Sequence, residues 1–189
     1  MEGSPQEPQE LVLQARRGDC AAFAELIRLY ERAALSVAYA TLGDASAAGD
    51  VTQESFLRAW QRLDELKEPA RFGAWLTRIV RNLAADQIRR RPFQQLESTE
   101  AQESIDPSRA DPTAELDKAE MRGRIDEALA TLDETTRSAV VLRYYDGLPS
   151  KRIGEMLNLS PAAVDMRLSR ARAELREKLA WADPSSLEA

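Results

Sequence analysis

The residues best equipped for chemistry in this chain are arginines, and they are bunched. Between Arg71 and Arg91 six arginines (Arg71, Arg78, Arg81, Arg89, Arg90, Arg91) stand against one acid, Asp86. Between Leu148 and Lys178 seven basic residues stand against four acidic ones. Such runs attract phosphate and, when held in register, read the edges of bases. A solvated helix face carries the same charges, so the runs alone leave both readings open. Other chemistry is harder to assemble. The chain has no histidine and one cysteine, Cys20. A disulfide framework, a Cys/His zinc centre and a histidine base are thereby excluded. With no phosphate loop, nucleophile–base pair or metal cluster in view, the expectation is no enzyme, no cofactor and no small-molecule substrate.

The basic runs lie inside neutral bodies. The 189 residues carry 26 basic and 32 acidic side chains, a net charge of −6. Residues 1–93 balance at 13 and 13, and residues 122–189 at 11 and 11. Residues 94–121 hold 2 basic and 8 acidic groups, are poor in aromatics, and contain Pro107 and Pro112. We read them as a flexible acidic linker between two small helical domains, 9–93 and 122–180. Apolar residues make up 43% of the chain, enough for packed cores. No stretch approaches the roughly 18 apolar residues of a membrane span, so no membrane insertion is expected. Met1–Glu10 lacks the apolar stretch of a signal peptide. A cytoplasmic setting follows, with Cys20 read as a small buried hydrophobe.

Everything outside the linker scans as helix, which makes the fold class all-α. Phe23, Leu26, Ile27 and Tyr30 recur at helical spacing behind an N-cap at Asp19, and Gly43 ends that helix. Ala45 to about Leu66 follows, with Phe56, Ala59, Trp60 and Leu63 as its apolar stripe. Pro69 breaks the chain. Phe72 to Arg91 carries Trp75, Leu76, Ile79, Val80, Leu83 and Ile88 in periodic positions. Trp60 and Trp75 are read as core. In the second domain Ile125, Leu129 and Leu132 predict one short helix. Asp133 or Thr135 caps a second, with the stripe Val140, Val141, Tyr144 and an end at Gly147.

Ser150 to Leu175 holds the most specific local pattern. Gly154 supplies the tiny residue that two steeply crossing helices need. Asn158 supplies the left-handed turn, and Val164 points back into the core. Ser160 is an N-cap and Pro161 suits the first helical position. The result is a helix-turn-helix whose second helix exposes Arg167, Ser169, Arg170, Arg172 and Arg176, a face the major groove admits. An ordinary helical hairpin with a solvated arginine face is the plainer alternative. Asp165 stands near the start of that helix. It would repel phosphate or accept from a cytosine amino group, but the helix N-terminus favours an acid there without DNA, and we read it as cap-like. In the first domain Asp50, Gln53, Glu54 and Leu57 share a non-core face at i, i+3, i+4, i+7. A leucine among polar groups suits a protein partner, although periodicity alone favours a solvated face with one stray leucine.

Taken together these motifs resemble the bacterial RNA polymerase sigma factors of the extracytoplasmic-function (ECF) group, in the sigma-70 family. The run D-V-T-Q-E-S-F-L-R-A-W at 50–60 resembles their polymerase-binding helix. F-x-x-W-L-x-R-I-V-R-N-x-x-x-D-x-x-R-R at 72–90 resembles their −10-reading helix. R-Y-Y-D-G-L-P at 143–149 and R-L-S-R-A-R at 167–172 resemble their −35-reading region. The chain departs from the family pattern at Arg152-Ile153-Gly154, Ala163, Asp165 and Met166.

The resemblance implies sigma region 2 at 9–93 and sigma region 4 at 122–180. It implies a protein that binds RNA polymerase core, directs it to promoters and assists duplex opening. Asp50, Gln53, Glu54 and Leu57 would meet the β′ clamp helices, and region 4 the β flap. Arg78, Arg81, Asn82, Arg89 and Arg90 would face −10 DNA, with the loop 64–71 helping to hold a flipped base. Lys151, Arg152, Met166, Arg167, Ser169, Arg170 and Arg172 would face −35 DNA. An anti-sigma factor is a possible partner. The −35 and −10 elements lie about 25 base pairs apart, roughly 85 Å. A relaxed chain of the linker's length spans only about 30 Å and an extended one about 92 Å, so the linker must be stretched across the complex, its acidity suiting a basic polymerase channel. A helix-turn-helix repressor or activator that never meets polymerase, and an all-helical protein adaptor, are the competing readings.

Overall fold

The computed structural model describes residues 7–90 and 121–179, apart from 122. Arg91, the acidic segment 94–120 and the tail from Asp183 lie outside the described residues. The first group of helices is α1 (Pro8–Ala15), α2 (Cys20–Leu42), α3 (Ala45–Gln61) and α4 (Phe72–Arg90). The second is α5 (123–130), α6 (Glu134–Tyr144), α7 (Ser150–Leu157) and α8 (Pro161–Lys178). No strand occurs among the described residues.

The helix boundaries follow local chemistry. Asp19 caps α2 by accepting from the backbone N–H groups of Ala21 and Ala22, at 2.9 and 3.1 Å. Gly43 ends α2 in the left-handed region, φ 65°. Asp44 caps α3 through Ala47 N–H at 3.0 Å. Asp133, not Thr135, caps α6. Two expected ends move. α3 stops at Gln61, and the chain turns through short 3-10 segments at Leu63–Glu65 and Pro69–Arg71. α6 stops at Tyr144, three residues before Gly147.

α2 is the spine. Leu26, Val37 and Ala38 have no exposed surface, and Tyr30 meets Phe72 of α4 edge-on at 5.2 Å. α1, α3 and α4 pack on α2, and so does α6. The buried side chains of both groups therefore form one contiguous core. Gly73 marks where α4 squeezes between them. A Cβ there would lie 2.9 Å from the Tyr30 ring and 3.5 Å from the Met156 side chain of α7.

Several burial expectations need correcting. Cys20 is exposed, because it stands at the first turn of α2, outside the packed stripe. Trp60 is 36% exposed and only leans its edge on Phe23, at 4.9 Å between centroids. Ile88, Ile125 and Tyr144 are exposed as well. α6 is packed from two sides, against α2 and against α7 and α8, so Ala139, Val140 and Leu142 are buried and the stripe does not run on to Tyr144.

The helix-turn-helix core is built as its residue types require. Ile153 and Val164 have no exposed surface. Asn158 takes φ 56° and is the one non-glycine residue described with positive φ. Leu159 N–H then returns to Gly154 C=O at 2.9 Å. A Cβ on Gly154 would sit 2.5 Å from the Leu159 carbonyl oxygen. The close approach that demands glycine is thus to the turn itself rather than to the opposite helix. Gly154→Ala should lower stability by about 1–3 kcal/mol, because backbone must shift to make room. Urea denaturation checks it, and a variant with the parent's midpoint would refute this account of the turn.

Candidate nucleic-acid interface

α8 presents the basic face expected of it. Its inner side buries Val164, Leu168 and Ala171, which leaves Ser169, Arg170, Arg172 and Arg176 exposed. Met166 is exposed at the start of the same face. Ser160 caps the helix by accepting from Ala163 N–H at 3.2 Å. Asp165 does not act on its own helix N-terminus. It accepts from the Ser150 hydroxyl, which in turn accepts from Arg143, while Arg143 itself stands 3.6 Å from Asp165. This chain ties the second turn of α8 to the start of α7 and the end of α6.

Arg167 is turned partly inward. Its guanidinium donates to the Thr136 hydroxyl at 2.9 Å and pairs with Asp133 at 3.3 Å. Asp133 therefore has two duties, as the cap of α6 and as the counter-ion of Arg167. Its carboxyl is held below the usual carboxylate range, first by the Thr136 hydroxyl, with the Thr136 and Thr135 N–H groups and Arg167 adding to the effect and partial burial opposing it. Lys151 is exposed at the start of α7. Arg152 pairs with Glu155 at 3.1 Å and lies over the Tyr30 ring, 4.5 Å from its centroid. Burial pushes the Tyr30 phenol up, and the Arg152 charge partly offsets that.

On α4 the arginine series divides. Arg78, Asn82, Arg89 and Arg90 are exposed, Arg89 pairing with Asp86. Arg81 is half-buried. It pairs with Glu134 at 3.0 Å and donates to the Ser138 hydroxyl at 3.2 Å. The expected −10 residues thus do not form one open surface here. The neighbouring loop is tied at its start: Arg62 forks onto Glu65 with contacts of 2.6 and 3.0 Å, Leu66 is buried, and Arg16 donates to the Leu63 carbonyl at 3.2 Å.

On α3, Asp50, Gln53, Glu54 and Leu57 share one outward face, opposite the buried Val51, Ser55 and Phe56. Leu57 is 51% exposed, and Glu54 is held by Arg58 at 2.8 Å. Trp60, one turn beyond Leu57, extends this face as an apolar strip. It was missed because its spacing also fits the core stripe.

Two further arginines could not be singled out from the sequence. Arg137 donates to the carbonyls of Leu129, Ala130 and Leu132 and to Ala40 across the groups, all at 2.9–3.0 Å. It sits where the ends of α2 and α5 converge, a place that favours a cation. Arg32 of α2 reaches Asp146 and the Tyr145 carbonyl, both at 2.8 Å. No periodicity announces a partner more than a hundred residues away.

The comparisons with known proteins follow the same two groups. A model of Sigma-70 region 2 matches residues 26–92, and a model of Sigma-70 region 4 matches residues 122–175. The chain is 32% identical over 176 residues to the ECF RNA polymerase sigma factor SigW of Bacillus subtilis, covering 89% of this chain and 94% of that protein. It is 37% identical over 162 residues to the probable RNA polymerase sigma factor RfaY of Xanthomonas campestris pv. campestris, covering 84% of this chain but 40% of that protein. Among solved structures it is similar to CnrH in complex with the cytosolic domain of CnrY, with a TM-score of 0.65 and 28% identity, covering 94% of this chain and 100% of that one.

Asp133→Ala should cost about 0.5–2 kcal/mol near neutral pH, the usual range for a lost N-cap. The native carboxyl titrates below its unfolded value, so its contribution is present above about pH 4 and is lost as pH falls through the lowered native value. The stability gap between parent and variant should therefore narrow in acid, as chemical denaturation over a pH series would show. A constant gap would contradict the assignment.

Proposed function

The chain belongs to the extracytoplasmic-function group of the sigma-70 family of RNA polymerase sigma factors, and we propose that its two helical groups divide promoter-directed initiation between them. Region 2, placed at 9–93, carries polymerase docking and −10 reading. Region 4, placed at 122–180, carries −35 reading. The exposed arginine face of α8, held out by the Gly154–Asn158 turn, is the observation that best supports this division.

The docking face is assigned to α3. Asp50, Gln53 and Glu54 surround an apolar centre at Leu57, the arrangement of a protein-binding spot with a polar rim. Trp60 joins that centre. On α4, Arg78, Asn82, Arg89 and Arg90 would meet the −10 strand, together with Arg81 once it is released from Glu134. Opening the duplex costs a few kcal/mol, and contacts to an extruded base beside loop 64–71 would offset it. On region 4, Arg170, Arg172 and Ser169 would enter the major groove with Met166. Lys151, Arg152 and Arg167 would contact the flanking backbone. The chain would contribute recognition rather than catalysis and would work in the cytoplasm, beside polymerase. No helix among the described residues is long and apolar enough to cross a membrane. CnrH is bound by the cytosolic domain of CnrY, which supports a second protein as a further partner of this chain, and the family resemblance makes an anti-sigma factor the candidate.

Run-off transcription with purified core enzyme tests the whole reading: product should appear only when the chain and a cognate promoter are both present. A repressor or an adaptor would not be retained by core polymerase in a pull-down. Leu57→Asp should weaken core binding by at least about tenfold, as loss of an interface hot spot does. Arg170→Ala should cost about 1–3 kcal/mol at promoters carrying its preferred −35 base and little elsewhere if it reads a guanine. Uniform weakening at every promoter would make it a phosphate contact.

A further inference from the structure

Asp165 is the one acid between Pro161 and Ala173, and it stands on the outward side of α8. Ser169, Arg172 and Arg176 follow it at i+4, i+7 and i+11, all exposed, with Met166 and Arg170 alongside. An acid in that company opposes phosphate binding, so general affinity for DNA does not account for it. Helix capping does not account for it either, since Ser160 already caps α8 through Ala163 N–H. The contacts of Asp165 all fall on one oxygen. The Ser150 hydroxyl donates to Oδ1, and Arg143, 3.6 Å from that oxygen, donates to Ser150. Among the described residues no hydrogen-bond donor engages Oδ2, and the side chain is 64% exposed.

We propose that Asp165 is a specificity-determining residue of α8, with Oδ2 accepting from the N4 amino group of a cytosine in the −35 element. The inference rests on the reading of α8 as the −35 helix given above. A carboxylate only accepts hydrogen bonds. In the major groove guanine and thymine present acceptors to it, and adenine sets an N7 acceptor beside its amino group. Cytosine alone offers a donor with no acceptor beside it, and it is the base that acidic side chains pair with. The location suits the task, because base edges are read from the N-terminal part of a recognition helix and Asp165 lies in the second turn. Ser150 and Arg143 hold the carboxyl by its other oxygen, which fixes the direction of the free one at little further cost in side-chain freedom. The Arg143 charge behind it offsets repulsion from the DNA backbone. Asp165 would thus reject most sequences by repulsion and accept one base by a hydrogen bond, which is how specificity is gained at the expense of general affinity.

The test is selection from a promoter library with a randomised −35 element, by the full chain bound to core polymerase. The parent should enrich cytosine at one −35 position. Asp165→Asn should lose that preference at that position alone and keep the rest of the motif. On a synthetic promoter, exchanging that C·G pair for T·A should weaken the parent by about fivefold to a hundredfold, the usual discrimination of a good base contact. Asp165→Asn should show little of that difference. The base exchange probes the unmutated chain, so the test stands even if a variant misfolds. Ser150→Ala, which keeps the carboxylate and removes its brace, should retain the cytosine preference in weakened form. Two outcomes overturn the proposal while α8 remains the −35 reader: Asp165→Asn tightens binding to every sequence equally, which makes Asp165 a phosphate repeller, or Asp165→Asn and Ser150→Ala weaken every sequence alike, which makes it a brace. A parent motif with no cytosine preference that depends on Asp165, yet altered by Arg170→Ala, also defeats this proposal alone. No enriched −35 motif at all defeats the promoter reading of α8 and this proposal with it.

Discussion

Burial of α2 is the constraint on which the rest of the molecule depends. A helix buried on one stripe can support one neighbour or two. α2 is buried at Leu26, Tyr30, Ala33, Ala34, Val37, Ala38 and Ala40, a band wide enough for α1, α3, α4 and α6 together. The alanines matter as much as the large residues, because small side chains let neighbouring helices approach closely along its second half. Each large side chain fully withdrawn from water contributes about 1.5–3 kcal/mol. The outward face of α3 and the arginines of α4 take their places from this one helix, while loop 62–71 is placed by α1 and α4. It also receives α6, so the orientation of the helix-turn-helix is set by the same surface.

The arginines show how such a frame controls charge. Several of the side chains suited to DNA already have carboxylate partners on their own chain: Arg89 with Asp86, Arg152 with Glu155, Arg167 with Asp133 and Arg81 with Glu134. Pairs at or near the surface are worth little, so they yield readily to phosphate, yet they reduce the charge that a random stretch of DNA would feel. For Arg167 the exchange has a structural side. Its partner Asp133 also caps α6, and drawing Arg167 onto DNA leaves that cap in place with one support fewer.

The helix-turn-helix was legible in the sequence because its demands are local. Asn158 and Gly154 are both dictated within one turn of chain, and the caps at Asp19 and Ser160 act over two or three residues. The exposed face of α3 was legible too, since period 3.6 sorts it from the core. What periodicity could not supply was anything decided by a distant surface. Trp60 and Tyr144 continue apolar stripes past the point where a neighbour covers them. Cys20 is apolar by type, but the first turn of α2 stands clear of the packing. Arg32, Arg81 and Arg137 look like ordinary solvated cations until α6 is laid beside α2 and α4. Asp165 was read as serving its own helix, and it serves the neighbouring one through Ser150.

The division of charge along the chain fits this arrangement. Each helical group is neutral, and its basic face is a minority of its surface. On α8 the cations that make no ion pair among the described residues are Arg170, Arg172, Arg176 and Lys178, too few to hold duplex DNA tightly at physiological salt. On α4 only Arg78 and Arg90 are in that condition. Two weak sites on one chain become a strong one only if both engage together, because the second contact then forms at the high effective concentration set by the first. That gain vanishes when geometry forbids simultaneous engagement. A partner that holds the groups apart at the promoter spacing therefore supplies affinity without touching a base. The same weakness of each group alone would keep the chain from lingering on DNA where no such partner is bound.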